Sequence, residues 1–342
     1  MAEHPGAPSW LLRCAPGLAK ILITELRFNG LVDRRTKPTI LWQRNHDLVF
    51  LPRLQKEPRP VDLRIAEDIQ RCPIYGRYKI SNRQLDVLAA MLGASKGAWH
   101  LVVTVDGARF NRHELARWLA RELKQRGVAL DETSPRLAAL FCVEESYYLC
   151  LPYRTADQAA LRQRRAAERP GSLPPTIAAA MAFLANPRDD DMVLDPVCGS
   201  GTLLAEVHAY APAARLSGID QDRQAIAGAR RNLAHISELQ LAAGDARATG
   251  LADGSLSLFL ANLPFGKQFG SPAQNRLLYQ DILRELVRLG RPEGWRAVLL
   301  TSDVEALKAA VAANPGVRPG SATPVKIRGE AATIMLLRGS GG

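Results

Sequence analysis

The chain is 342 residues long and lacks the devices that hold small or secreted scaffolds together. Its five cysteines (Cys14, Cys72, Cys142, Cys150, Cys198) are odd in number and irregularly spaced, with no C-x-x-C pair. That argues against a disulfide framework and against a zinc site. Six histidines are scattered, with no pair at helical spacing, so no metal is expected. No apolar run approaches the roughly 18 residues of a membrane span. The opening MAEHPGAPSW has no basic segment followed by an apolar one, so no secretory signal is read there. These absences lead to the expectation of a reduced, cytoplasmic protein without membrane or metal. With 47% hydrophobic, 23% charged and 6% aromatic residues, the composition also excludes collagen, coiled coil and wholesale disorder.

Positive charge is what the chain has in excess: 45 Lys and Arg against 34 Asp and Glu, net +11. The excess is uneven. Residues 1–172 hold 28 basic and 18 acidic residues, and residues 173–342 hold 17 and 16. A basic half beside a nearly neutral one points to a polyanionic partner for the first.

The length suits more than one domain. Residues 1–75 contain short elements: a helix from Leu18 to near Gly30, and strands at Thr39–Trp42 and Leu48–Leu51. In 76–153, alternating Leu101, Val103 and Val105 mark a strand. Asn111, with Glu114 three residues on, has the pattern of a helix capping box. Leu115, Trp118, Leu119 and Leu123 then form one apolar face, with Arg112, Arg117, Arg121, Lys124 and Arg126 at the other positions. Two strands, 137–144 and 147–151, follow. Residues 154–172, with Arg162, Arg164 and Arg165, form a basic linker. From 173 to 342 strands and helices alternate, which implies α/β architecture with a mostly parallel sheet.

Four motifs fall at successive strand ends of this last region. Asp195-Pro196-Val197-Cys198-Gly199-Ser200-Gly201-Thr202 joins the first strand to a helix. Glycines let the backbone approach a ligand, and the helix start offers N–H groups. Position 204 is Leu, against the third Gly of the dinucleotide fingerprint. An acid at the strand tip suits a ligand ammonium better than a pyrophosphate, which points to the amino-acid end of S-adenosylmethionine. Asp220, in Gly218-Ile219-Asp220, is spaced to accept both ribose hydroxyls. Asp245, in Gly244-Asp245-Ala246, can accept from the adenine amine. Cys198 is read as a small packing residue, not a nucleophile. Gln221 and Ala246 flank the second and third acids and join Cys198, Gly199, Ser200, Gly201, Thr202 and Asn262 as expected cofactor contacts.

The fourth motif is Asn262-Leu263-Pro264-Phe265-Gly266. The exocyclic amine of a base is a poor nucleophile because its lone pair is delocalised into the ring. The Asn262 side-chain oxygen and a backbone carbonyl near Leu263 or Pro264 can accept its two hydrogens, localising the lone pair, while Phe265 stacks on the base. Transfer then depends on proximity and orientation and needs no strong base.

The series DPVCGSGT, GID, GDA and NLPFG resembles the class I S-adenosylmethionine-dependent methyltransferases, and most closely the THUMP-domain RNA guanine-N2 methyltransferases. The run Leu173–Ala180 is similar to that family's helix before the first strand, which flanks the methionine end of the cofactor and adds Thr176 to the expected contacts. The ending Val325–Gly329 with Ala332–Ile334 resembles its last two strands. The segment Leu12–Leu18 is similar to the family's opening ferredoxin-like part, and residues 76–153 resemble a THUMP domain. The resemblance implies a Rossmann-like C-terminal sheet behind an α+β RNA-binding region. It also implies N2 methylation of a guanosine, with tRNA position 6 in the acceptor stem the expected target and a monomer the expected state. Ribosomal RNA guanine, DNA adenine N6, or a catalytically silent RNA-binding scaffold are the alternatives. Arg112, Arg117, Arg121, Lys124, Arg126, Arg164 and Arg165 are the expected phosphate contacts. Removing residues 1–172 is expected to cost RNA affinity far more than cofactor affinity.

Overall fold

The computed structural model describes residues 9–43, 45–59, 62–107, 111–153, 172–264 and 272–339, the side chains of 272–274 excepted. Contacts divide the chain into two units. One comprises Met1–Cys14 with Leu26–Ala156, the other Ala15–Glu25 with Asp157–Gly342.

The first unit is built on a sheet of seven described strands: β1 (Trp10–Cys14), β2 (Thr39–Trp42), β3 (Asp47–Leu51), β4 (Asp68–Arg77), β5 (His100–Asp106), β6 (Leu137–Val143) and β7 (Ser146–Pro152). Their order is β2-β3-β1-β4-β7-β6-β5. Neighbours are antiparallel except β5 and β6. Strand β4 crosses the expected 75/76 boundary, and one sheet takes strands from both expected segments. Alternation along β6 shows why the sheet is buried on both faces. Ala138, Leu140 and Cys142 pack in one apolar cluster, and Ala139, Phe141 and Val143 in another.

Helix α1 (Ala19–Phe28) follows β1, and α2 (Asn82–Gly93) and α3 (Arg112–Gln125) lie between later strands. Leu119 and Leu123 of α3 are fully buried, and Leu115 and Trp118 pack beside them, as the periodicity requires. Asn111 caps α3, its side-chain oxygen accepting from His113 N at 2.9 Å and Glu114 N at 3.3 Å. A reciprocal capping box is present at α2, between Ser81 and Gln84.

The second unit has strands β8 (Met192–Asp195), β9 (Arg215–Asp220), β10 (Leu239–Ala243), β11 (Leu258–Asn262), β12 (Trp295–Thr301), β13 (Val317–Ile327) and β14 (Glu330–Gly339). Helices α4 (Pro175–Ala185), α5 (Thr202–Tyr210), α6 (Arg223–Asn232), α7 (Pro272–Leu289) and α8 (Val304–Ala312) accompany them. The sheet order is β10-β9-β8-β11-β12-β14-β13. The first five are mutually parallel, and β14 runs antiparallel between β12 and β13. This is the Rossmann-like sheet expected for 173–342. Chain order reverses at β8, which has β9 on one side and β11 on the other, and ligands of such sheets bind outside the carboxyl ends at that point.

Two features set the second unit's stability. Helix α4 is alanine-rich and apolar all round, so Ile177–Ala182 are all buried. At the sheet end opposite the expected site, Arg296 forks onto the buried Asp191 and donates to the carbonyls of Ala185 at 2.9 Å and Asn186 at 3.0 Å. Asp191 also accepts from Ser257 Oγ at 2.7 Å, so α4, β8, β11 and β12 share one polar clamp.

Candidate active site

The three expected acids and Asn262 all end, or closely follow, parallel strands on one edge. Asp195 closes β8, which pairs in register with β9 (Asp195 opposite Gly218), and Ala243 of β10 lies opposite Asp220 of β9. Asn262 closes β11.

Asp195 is 1% exposed. Its carboxylate accepts from Val197 N at 3.1 Å. Burial pushes its pKa up to about 8, the Val197 hydrogen bond opposes that, and the nearby Asp220 charge adds to it. A buried acid of this kind is poised to receive a cation.

The turn after β8 is bound to the tip of β9. Cys198 N donates to the Ile219 carbonyl at 2.8 Å, and Gly199 N donates to Asp220 Oδ2 at 2.8 Å. The other Asp220 oxygen accepts from Asp222 N at 2.9 Å. Asn232 of α6 donates to the Ser200 carbonyl at 3.0 Å. Gly201 has φ +82°, and a Cβ there would stand 2.5 Å from Leu233 Cδ1, so only glycine fits. At Gly199 (φ +53°) a Cβ would meet no atom within 4 Å, so the backbone there is open to close approach. Helix α5 begins after Gly201 without a side-chain cap, which leaves its first N–H groups facing the turn. Cys198 is buried, and burial with the charges of Asp195 and Asp220 pushes its thiol far above the ordinary range. It is therefore a packing residue.

Asp245 has a partner that the sequence reading did not find. Arg247 donates through Nε and Nη2 to its carboxylate, the shortest contact being 2.6 Å, and holds the acid down at about 2. Ser200 and Ala246 are buried, Thr176 and Thr202 half-buried, and Gln221 exposed.

Asn262 Oδ1 is buried and has no hydrogen-bond partner among the described residues. An unpaired buried amide oxygen is costly, and here it marks an acceptor held for a donor. The two carbonyls considered as the second acceptor differ. Pro264 O already accepts from the Tyr279 hydroxyl at 2.8 Å, while Leu263 N donates to Leu300 O at 3.0 Å. Pro264 O thus has one of its two lone pairs engaged within the fold. Phe265, Arg164 and Arg165 lie outside the described residues.

On α3, Arg112, Arg117, Arg121 and Lys124 are exposed. Arg126 stands apart from them. It is half-buried and paired with Asp86 and Glu122, each at 2.7 Å. Arg247, Asn232 and Tyr279 escaped the sequence reading because each acts through a fold contact. The one usable signal was the position of Arg247, two residues past a strand-end acid.

Comparison with known proteins gives the site a context. Residues 162–331 match the family model described as UPF0020, RMKL-like, methyltransferase domain. The match covers just under half of the chain. A tRNA (guanine(6)-N(2))-methyltransferase THUMP3 of Bos taurus is 32% identical over 149 residues, 39% of this chain and 29% of that protein. The chain spans about a third of the length of the mammalian relatives it matches first. A tRNA (guanine(6)-N2)-methyltransferase of Methanocaldococcus jannaschii is 23% identical over 88% of this chain and 92% of its own. Among solved structures, TrmN from Thermus thermophilus superposes with a TM-score of 0.77 at 24% identity, covering 97% of this chain and 99% of that one. The likeness is one of fold, a Rossmann-like sheet joined to an α+β part. Among the described residues no helix is long and apolar enough to cross a membrane, and no group of three or more potential ligands could hold a metal ion.

Proposed function

We propose that this chain transfers a methyl group from S-adenosylmethionine to the exocyclic N2 of a guanosine in RNA, with tRNA the substrate and acceptor-stem position 6 the target. The observation that carries the reading is the Asn262 oxygen, unpartnered among the described residues, on the same sheet edge as a buried acid whose pKa favours a cationic partner. When bound, S-adenosylmethionine supplies an electrophilic methyl group on a sulfonium. Asp195 receives its ammonium, Asp220 its ribose hydroxyls and Asp245 an adenine amine hydrogen. Thr176, Gly199, Gly201 and Thr202 border it. Asn262 Oδ1 and the Leu263 carbonyl accept the hydrogens of the substrate amine and aim its lone pair. The proton released after transfer leaves to solvent. Phe265 stacks on the base.

The first unit, with its exposed basic α3, is the RNA-gripping part, THUMP-like over 76–153 and ferredoxin-like before it. The relatives named as tRNA guanine-N2 methyltransferases support the choice of amine and of RNA. Transfer of tritiated methyl groups to bulk tRNA, ribosomal RNA and DNA, with nucleoside analysis, tests it. N2-methylguanosine in tRNA is the expected product. N6-methyladenosine, or no transfer to any of the three, would refute the reading.

A further inference from the structure

Behind the Asn262 turn runs a hydrogen-bonded chain that no motif residue begins. Tyr279 and Thr301 are both fully buried. The Tyr279 hydroxyl donates to Pro264 O at 2.8 Å and lies 3.0 Å from Thr301 Oγ1, which accepts from Asp303 N at 2.9 Å. Counting hydrogens fixes the direction. A carbonyl only accepts, so the single Tyr279 proton is committed to Pro264. Thr301 must then give its own proton to the Tyr279 oxygen while it accepts from Asp303. Burial keeps the phenol protonated. The far end is anchored in two helices. Asp303 Oδ1 accepts from Ala306 N at 3.0 Å at the start of α8, and Oδ2 accepts from Asn275 of α7 at 3.2 Å. Asn275 and Tyr279 share a face of α7, four residues apart.

The peptide that follows Asn262 is thereby held at both ends. Leu263 N is tied to Leu300 O, Pro264 O is tied to Tyr279, and the proline ring fixes φ between them. We propose that Tyr279 and Thr301 are positioning residues for the transfer. Their one-way relay fixes the Leu263–Pro264 peptide and so keeps the Leu263 carbonyl and the Asn262 amide aimed at the substrate amine. The inference rests on the N2-transfer reading above and adds to it a support that the NLPFG motif does not contain.

Three variants separate positioning from mere packing. Tyr279→Phe keeps the ring and removes the donor, Thr301→Val keeps the shape, and Thr301→Ser keeps the hydroxyl. For the first two, kcat should fall by roughly 10- to 100-fold, the scale of a small misplacement of reacting groups. KM for tRNA and the calorimetric Kd for S-adenosylmethionine should stay within about twofold, because the missing hydrogen bond is felt in the oriented complex. Thr301→Ser should restore most of kcat. A readout independent of turnover is hydrogen exchange at the Leu263 amide, which should speed up by about tenfold or more in Tyr279→Phe as the turn loosens. Wild-type kcat in Tyr279→Phe, unchanged Leu263 exchange, or loss of cofactor affinity parallel to kcat would each overturn the proposal. A wild-type protein that methylates no RNA would instead defeat the reading it rests on, and the exchange measurement would still decide whether Tyr279 holds the turn.

Discussion

Gly199 N donates to the Asp220 carboxylate across 2.8 Å, so one acid tethers the glycine turn to the next strand before it meets any ligand. Its second oxygen is fixed by Asp222 N. Replacing Asp220 by Ala removes the acceptor of two backbone donors along with the proposed ribose contact. Charge-assisted hydrogen bonds contribute about 1.5–3 kcal/mol each. Asp220→Ala should therefore weaken cofactor binding by at least about tenfold in calorimetry, with Asp220→Asn intermediate. An unchanged Kd would remove Asp220 from the site.

Asp195 gives a pH signature. Its pKa in the folded chain is about 8, above the 3.8 of an unperturbed carboxyl. The native state therefore holds a proton that the unfolded chain has lost, and this group's contribution to stability declines as pH rises from about 4 to about 8. Asp195→Asn should raise the midpoint of thermal unfolding at pH 9 relative to wild type while weakening cofactor binding sharply. In wild type at pH 7, pairing with an ammonium should expel close to one proton. Calorimetry in buffers of different ionisation enthalpy reads this directly, and a buffer-independent heat would contradict it.

Asn262→Ala should separate chemistry from binding. Losing one pre-aimed acceptor costs on the order of 10²–10³ in rate at comparable sites. Methyl transfer should fall by that factor while the Kd for S-adenosylmethionine changes by less than about threefold. Equal losses would make Asn262 a cofactor ligand only.

The clamp at the opposite edge predicts a stability effect without a functional one. Arg296→Ala strands the buried Asp191 and opens the carbonyls of Ala185 and Asn186. Breaking a buried pair from one side costs about 3–5 kcal/mol. Arg296 is about a quarter exposed, at 28%, so a value near 3 kcal/mol is expected from denaturant titration. Cofactor affinity at a temperature where the variant remains folded should not change.

Helix α3 should divide its cations by role. Replacing Arg112, Arg117, Arg121 and Lys124 by Ala should weaken RNA binding and flatten its salt dependence, by up to about 0.7–0.9 in log–log slope for each phosphate no longer neutralised. Arg126→Ala should instead cost stability, since its guanidinium ties α3 to Asp86 of α2. An unchanged salt slope in the fourfold variant would place the RNA elsewhere.

Much of the second unit could be read from sequence because alternation, glycine turns and strand-end acids are local signals. Strands 192–195, 215–220 and 239–243 each end at or just before one of these acids, and helix 202–210 starts at the glycine turn. What escaped depends on tertiary contact. Strand β4 passes over Pro73 and Gly76, residues that weaken a strand signal, and is held by pairing with β1 and β7. Helix α8 is only 9 residues long, too short for its periodicity to stand out. Of β13 only the end was legible, since its earlier part carries Pro319, which only an edge position tolerates. At the site, residue types and spacing indicated the acids and Asn262. The engagement of Asp245 by Arg247 and of Pro264 by Tyr279 depends on which groups the fold brings within 3 Å, and no spacing rule reports that.

The second unit is not contiguous in sequence, and that bears on how it folds. Ala15–Glu25 belongs to it: Lys326 N donates to Pro16 O at 3.1 Å, and Tyr210 donates to Glu25 across 185 residues of chain. A cut at residue 172 would thus strip an early segment from the catalytic unit as well as discarding the basic half, and any loss of cofactor affinity in such a fragment would be ambiguous. This segment and β13 lie some 300 residues apart in the chain, joined by the Lys326–Pro16 hydrogen bond. The second unit therefore closes through one of the longest loops the chain offers. Its slow step in refolding should accordingly be the capture of residues 15–25, and not the assembly of the parallel sheet.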